Sequence, residues 1–428
     1  MKRSSFWERE GTKSVLASLI AIVVGMLAGG IIILIVGLSN PQLGVKGAWE
    51  GIRLVVAGLF SQDKRDMMGR LMFGFNARNF GNMLFRAIPL IMTGLSVALG
   101  NKAGLFNIGA PGQYLAGTCA SLFIALSVPT AGVPGWLVWT LAFLGGMAAG
   151  ALWGSIPGLL KAYLNINEVL ACIMTNWISA NVVTWLFEIS NLKNTLEGTK
   201  SGYIYKTSTL LVDQVVDGAR VTTGPDGVVG EVVARRGGIY TSKIGLDKLF
   251  AGSQVNGGIV LAVIIAIVIY VILSKTTLGY ELKACGANRY AARYAGIRDK
   301  RNIVLTMALA GALAAGGGAL YSLSGNTEFF WTTYQSLPAV GFNGIPVALL
   351  AVNHPIGVIF SAMFMSMLSI CGQQLTNLTA FNEYITDVII SVIVYLSAFM
   401  LVIKMWISKA RKPRVDKRET GKRKEAAK

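Results

Sequence analysis

Ser14–Leu38 reads SVLASLIAIVVGMLAGGIIILIVGL, 25 consecutive residues without a charge. At about 1.5 Å per residue, a helix of that length spans the ~30 Å hydrocarbon layer of a bilayer. A basic start precedes it (Lys2, Arg3, Arg9, Lys13) and no convincing small-residue cleavage site follows, so it reads as an anchor rather than a signal peptide. Working outward, apolar runs predict nine more helices or half-helices, at 81–100, 105–128, 135–160, 168–188, 258–274, 302–323, 339–352, 356–374 and 384–406. The 339–352 run is too short to cross alone as a regular helix and predicts half of a broken helix or a re-entrant segment. The expected fold class is an all-α polytopic membrane protein of about ten transmembrane helices.

Composition agrees. Apolar residues make up 53% of the 428 and charged residues 14%, against about 25% charged in soluble domains. Disorder, a coiled coil and a secreted disulfide scaffold are thereby excluded. The net charge of +18 would suit nucleic acid, but its placement argues otherwise. Eleven Lys/Arg lie in Lys404–Lys428 and seven in Lys275–Arg301, beside predicted spans, as on a cytoplasmic face that meets anionic lipid. No nucleic-acid partner is expected. With a cytoplasmic N-terminus the inside segments hold 24 Lys/Arg and the outside segments, about 39–80 and 189–257, hold 14 over a greater length. The expected organisation is a basic cytoplasmic N-terminus (1–13), a transmembrane domain (14–406) and a basic cytoplasmic tail (407–428). Within the domain lie an external insert (189–257) and a cytoplasmic loop (275–301). Gly-rich turns and the pairs Val228-Val229 and Val232-Val233 make the insert a small folded loop, either a contact for something outside the cell or a passive insertion. Cys119, Cys172, Cys285 and Cys371 are scattered, and His354 is the lone histidine; neither a disulfide nor a metal site is expected.

Catalytic motifs are missing. The nearest look-alike of an ATP-binding loop, Gly11-Thr12-Lys13-Ser14, lacks the upstream glycine and the strand-turn-helix setting. If ATP energises this chain, another subunit hydrolyses it. Three other segments carry information. Asn101–Gln113 (NKAGLFNIGAPGQ) puts Gly/Pro breakers and amides at the mouth of an apolar run, and non-helical backbone survives at membrane depth only against protein or a wet cavity. Val340–Ala348 (VGFNGIPVA) echoes it at a displacement of five helices, so the two would cross in opposite senses. An inverted 5+5 repeat with broken helices at its interface would mark a solute path; a chance Gly-rich coincidence is the alternative. In Asn165–Val169, Asn165 or Asn167 can cap a helix, with Glu168 near its positive end, and Asn176 follows two turns later. Besides Glu168, and apart from Glu188 and Lys404 at span ends, Arg86 and Asp387 are the ionisable residues inside spans; Arg86 can be a snorkelling side chain at a helix edge rather than a functional charge. Gly146–Gly150 and Gly316–Gly318 read as helix-packing surfaces.

The loop Leu278–Ile297 (LGYELKACGANRYAARYAGI) is unusual for a connector. Gly286 can end one helix in a left-handed conformation and Asn288 can cap a second, over about 288–296, with Arg289 and Arg293 on one face. Two readings stand: a helix lying at lipid headgroups, or a docking helix that takes force from a cytoplasmic motor.

Taken together, Gly104–Gln113, Asn167–Val169, Gly279–Ile297 and Gly341–Ile345, in that order over about residues 80–405, resemble the membrane permeases of bacterial ATP-binding-cassette (ABC) importers of the ribose/branched-chain-amino-acid class. Within it the likeness is nearest to nucleoside (simple-sugar-type) permeases. The resemblance implies no enzymatic activity or cofactor in this chain, with ATP and Mg bound by a partner. It implies a cytoplasmic ATPase subunit, a second permease in a homo- or heterodimer, an external substrate-binding lipoprotein and the plasma membrane of a bacterium. It assigns ATPase coupling to Gly279, Gly286, Asn288, Arg289, Ala291, Ala292, Arg293 and Gly296. The first motif usually has Glu where this chain has Pro111. For a nucleoside moved by alternating access, Phe106, Asn107, Gln113, Asn176, Trp177, Phe342 and Asn343 are the expected pathway residues, aromatic faces for a base and amides for hydroxyls. A ribose-type sugar is the rival solute, and an ion-coupled transporter with Asp387 as its ion site is the rival mechanism.

Overall fold

The computed structural model describes residues 10–398 except 41–42, 129–132, parts of 191–239, 328, 332–335 and 383. The first nine residues and the basic tail, including the expected helical stretch 399–406, lie outside the described residues. Each of the ten apolar runs contains a helix: α1 (Glu10–Ser39), α3 (Ala77–Lys102), α4 (Ala110–Ser127), α5 (Gly135–Leu164), α6 (Glu168–Ile189), α8 (Gly258–Lys275), α11 (Asp299–Ser322), α12 (Ala339–Leu350), α13 (Pro355–Leu378) and α14 (Tyr384–Ala398). Among the described residues, α3, α5, α6, α8, α11 and α13 are long and apolar enough to cross a membrane.

Residues 39–80, expected only as an outside segment, hold α2 (Gly44–Ala57), a 3₁₀ turn (Gly58–Phe60) and the antiparallel pair β1 (Ser61–Arg65) and β2 (Leu71–Phe73). α2 is amphipathic and buries Ala48, Gly51, Leu54 and Val55; a one-sided apolar stripe of 14 residues does not register as a span. The third span begins at Ala110 rather than Leu105, because residues 103–109 form the break itself. In the insert, β4 (Val212–Val216), β5 (Ala219–Thr223) and β6 (Val229–Gly230) form a small antiparallel sheet, while β3 (Ile204–Tyr205) pairs with β7 (Arg236–Gly237). A one-turn helix, α7 (Leu246–Leu249), follows.

α3 is the central post, buried along nearly all of its apolar stretch. Beside it α5 and α11 lie almost backbone to backbone. Gly146, Gly150, Gly154 and Gly158 recur every fourth residue and so share one face of α5. A Cβ at Gly150 would sit 2.5 Å from the Gly311 carbonyl oxygen, and one at Gly158 would sit 3.1 Å from the Val304 Cα. In hydrocarbon, where burial of apolar area gives no advantage over lipid, such close approach supplies the association through dispersion.

At one end of the bundle α8 turns at Thr276 into α9 (Thr277–Ala287), then α10 (Arg289–Tyr294), before α11 returns. The C-terminal end of α3 lies at this end too, because Gly286 abuts the Lys102–Gly104 backbone.

Candidate functional site

The α3–α4 break is built on polar side chains. Gly104 takes φ +70° and reverses the chain after α3. Asn107, wholly buried, donates to Ser96 Oγ (2.9 Å) and to Gln113 Oε1 (2.8 Å). Its carbonyl oxygen accepts from Gly109 N and Gln113 Nε2, both at 3.1 Å. Asn176 on α6 accepts from Gly112 N (2.9 Å) and donates to Ile108 O (2.9 Å), and Ser179 Oγ donates to Gly112 O (2.7 Å). Gly109 and Gly112 thus find side-chain partners for their amides, as does the carbonyl of Ile108, groups that would be costly to leave bare in a bilayer. Asn107, Gln113 and Asn176, three of the expected pathway residues, are buried at 0%, 1% and 1% exposure and make their bonds to this break. Trp177, by contrast, is half exposed on α6, while Phe106, Phe342 and Asn343 are half-buried.

The second break meets the first. α12 starts after Pro338, and Thr93 Oγ1, midway along α3, contacts both Pro89 O (2.9 Å) and Val340 O (3.3 Å). Thr93 and Ser96 are about 4.5 Å apart along the axis, so α4 and α12 both begin near mid-α3. A Cβ on Gly341 would sit 2.6 Å from the Pro111 nitrogen, and one on Gly344 would sit 2.7 Å from the Thr93 carbonyl carbon. From there the helices diverge. α12 leads to Asn353, whose Oδ1 accepts from Asn101 Nδ2 (2.9 Å) at the α9–α10 end. α4 runs the other way: Gln113 lies by Gly154, and Ile124 by Gly145, along antiparallel α5. Pro111 therefore sits in the first turn of α4, where its missing N–H costs nothing, and fills the space that Gly341 leaves.

At the α9–α10 end, Asn288 caps α10 through Tyr290 N (3.0 Å) and Ala291 N (3.1 Å), as expected from the sequence. Arg289 and Arg293 both grip Asp299, at 2.7 and 2.8 Å; the hydrogen bond first, and the charge second, raise the Arg293 guanidinium above its ordinary value. Tyr290 and Tyr294 are 75% and 95% exposed, as are Asn288, Ala291 and Gly296 in the same region. The remaining coupling residues face inward. Ala292 is buried, and Gly279 packs on the end of α8. Gly286 is a correction: it lies inside α9 rather than ending it in a left-handed conformation. Its reason is contact, since a Cβ there would meet Lys102 O at 2.6 Å and Gly104 N at 2.7 Å. The exposed helix pair is therefore in backbone contact with the residue that opens the α3–α4 break.

Asn167 caps α6 through Val169 N (2.8 Å), and Glu168 pairs with Lys161 (2.9 Å). Arg86 does not snorkel along a helix edge: it donates to Ser369 Oγ on α13 (3.0 Å), and with Asp387 it borders a polar cavity. On α13, Ser369, Gln373, Thr376 and Asn377 follow helical spacing and form a polar stripe in an apolar span, a signal present in the sequence but not among the expected site residues.

The sequence profile of the "branched-chain amino acid transport system / permease component" family matches residues 79–398. The chain is 34% identical over 400 residues to the nucleoside ABC transporter permease protein NupB of Lactococcus lactis, covering 94% of this chain and 95% of that one. It is 29% identical to the guanosine ABC transporter permease protein NupP of Bacillus subtilis, covering 93% and 97%. It is likewise 29% identical to the glucose ABC transporter permease protein TsgB13 of Haloferax volcanii, covering 78% and 80%. No solved structure matches.

Proposed function

Since the chain belongs to the branched-chain amino acid transport system permease family, we propose that it is the permease subunit of an ABC importer that carries nucleosides by alternating access. Likeness along nearly the whole chain to permeases named for nucleosides and guanosine supports the solute. The head-to-head meeting of α4 and α12 beside Thr93, tied through Gly104 and Gly286 to the exposed α10, carries the mechanism. ATP and Mg are held by a cytoplasmic ATPase, and this chain holds no cofactor. The ATPase presses on Tyr290, Ala291 and Tyr294. Gly286 passes the displacement to Gly104, and the α3–α4 break moves as one polar unit because its amides are bonded to one another. That motion separates Pro111 from Gly341, and solute passes where the two helix starts had met. Phe106, Phe342, Asn343 and Trp177, which are not closed into the amide network, are the pathway residues with surface to offer a base.

A substrate-binding lipoprotein delivers the solute, and a second permease, identical or related, completes the complex in the plasma membrane of a bacterium. Both termini are cytoplasmic, on the side of α9 and α10, and the opposite senses of α4 and α12 support the inverted 5+5 repeat. The glucose permease relative favours a simple sugar as the second reading, and Asp387 is the residue an ion-coupled transporter would use.

The test is uptake. Proteoliposomes holding the permease complex and an enclosed ATPase should concentrate labelled nucleosides only with ATP inside and the binding protein outside. Uptake of glucose or ribose in preference, or uptake by this chain alone under a proton or sodium gradient, would overturn the reading.

A further inference from the structure

A cavity of about 380 Å³ lies between α3, α13 and α14, bordered by Arg86, Ser369, Gln373, Thr376, Asn377 and Asp387. It sits far from α10: Arg86 is 16 residues from Lys102, about 24 Å along α3. It lies where α13 ends and α14 begins, and Arg86 reaches it from within α3, where an ionisable side chain is costly and marks function by default. Arg86 makes its bond to Ser369 (3.0 Å), which leaves most of its five N–H donors for other acceptors. Thr376 Oγ1 donates to Gly372 O (3.1 Å), so its lone pairs still accept. Asp387, in the first turn of α14, is exposed. Among the described residues it makes no ion pair with Arg86, although both border the same space. An acid and a base that share a cavity without neutralising each other leave both sets of hydrogen-bonding groups available. Tyr384, also at the rim, adds an exposed ring.

We propose that this cavity is a reception site for the ribose of a nucleoside, set in the half of the bundle remote from α10. The proposal rests on the nucleoside reading above. A carboxylate has two oxygens, and the 2′- and 3′-hydroxyls of ribose can donate one hydrogen bond to each. The Arg86 guanidinium and the amides of Gln373 and Asn377 donate to the hydroxyl and ring oxygens, and the Tyr384 ring offers a face to the base. Arg86 and Asp387 together carry no net charge, which suits an uncharged polar solute, while Asp387 repels the phosphate of a nucleotide. The volume falls within the ~300–1,000 Å³ of small-molecule sites.

The experiment is uptake by cells whose importer carries wild-type or variant chain, with labelled ribonucleosides and their 2′,3′-dideoxy analogues supplied in parallel. Wild type should prefer the ribonucleoside at least ten-fold. Asp387→Asn should cut that preference below three-fold by raising KM for the ribonucleoside, at unchanged maximal rate and membrane level. Gln373→Ala, at an exposed position, should raise KM several-fold, and it decides the matter if Asp387→Asn does not reach the membrane. Nucleoside uptake with KM and preference unchanged in both variants would overturn the reception site and leave the nucleoside reading intact. Uptake of a sugar but of no nucleoside, by wild type, would overturn both.

Discussion

The two breaks that meet beside Thr93 begin with similar strings, Gly104-Leu-Phe-Asn-Ile-Gly109 and Gly341-Phe-Asn-Gly-Ile345, yet they are built differently. In the first, Asn107 is fully buried and bonded to Ser96, Gly109 and Gln113. In the second, Asn343 is half-buried, and among the described residues its side chain has no hydrogen-bond partner. The first break holds seven non-helical residues and needs side chains to satisfy them; the second starts its helix directly after Pro338, where Thr93 Oγ1 approaches the Val340 carbonyl. The same residue types thus make a rigid polar knot on one side and a lean helix start on the other. The knot is the side in touch with α9.

Substituting the two asparagines should break that comparison most sharply. Asn107→Ala strands the polar atoms of Gln113 and Ser96 in a dry site, at a cost of about 3 kcal/mol; thermal unfolding in detergent should shift down by several degrees and uptake should fall to background. Asn343→Ala should leave the unfolding midpoint within error, and equal losses for the two would erase the distinction drawn here. Gly286→Ala comes next. Its methyl meets backbone rather than a flexible side chain, so α9 must move off Gly104. Uptake should drop at least ten-fold while the ATPase still hydrolyses ATP and binding protein still associates, as read by uptake and phosphate release on one preparation. Gly341→Ala should cost a few-fold in uptake, and Pro111→Gly in the same chain should restore little of it, because the added methyl meets the Pro111 backbone as well as its ring. Full restoration would mean that the ring alone makes the contact.

Smallest is a pH effect at the α12–α13 turn. His354 caps α13 by accepting from Gly357 N at 3.4 Å, which its neutral ring alone can do. Burial first, and Lys102 second, lower its pKa below the ordinary 6.5. The unfolded chain therefore takes up the proton more readily, so the cap's contribution is whole above about pH 6.5 and is lost as pH falls through the lower folded value. His354→Asn, which caps without titrating, should remove a shallow loss of thermal stability as pH falls below about 6.5.

Much of this was legible in the chain. Uncharged runs gave the spans because length and apolarity are what a bilayer demands, and the caps Asn167 and Asn288 followed from helix-end chemistry. The partners of the buried amides were not legible. Asn107, Gln113 and Asn176 look the same in sequence whether they face a solute or a neighbouring backbone, and only the fold shows that Gly109 and Gly112 claim two of them. α2 escaped because its single apolar stripe is diluted by Lys46, Glu50 and Arg53. Gly286 suggests a conformational reason in sequence, whereas the fold shows contact with Lys102–Gly104, far away along the chain.

In the proposed importer, the abutment of Pro111 and Gly341 bears on insulation as well as on passage. Each helix start presents roughly half a positive elementary charge, and here two such ends confront one another in a medium that screens them poorly. A proton or sodium ion approaching that point meets electrostatic repulsion, whereas an uncharged solute meets almost none. Two like-charged ends at the solute path of the proposed importer would let an uncharged cargo by without discharging the membrane voltage.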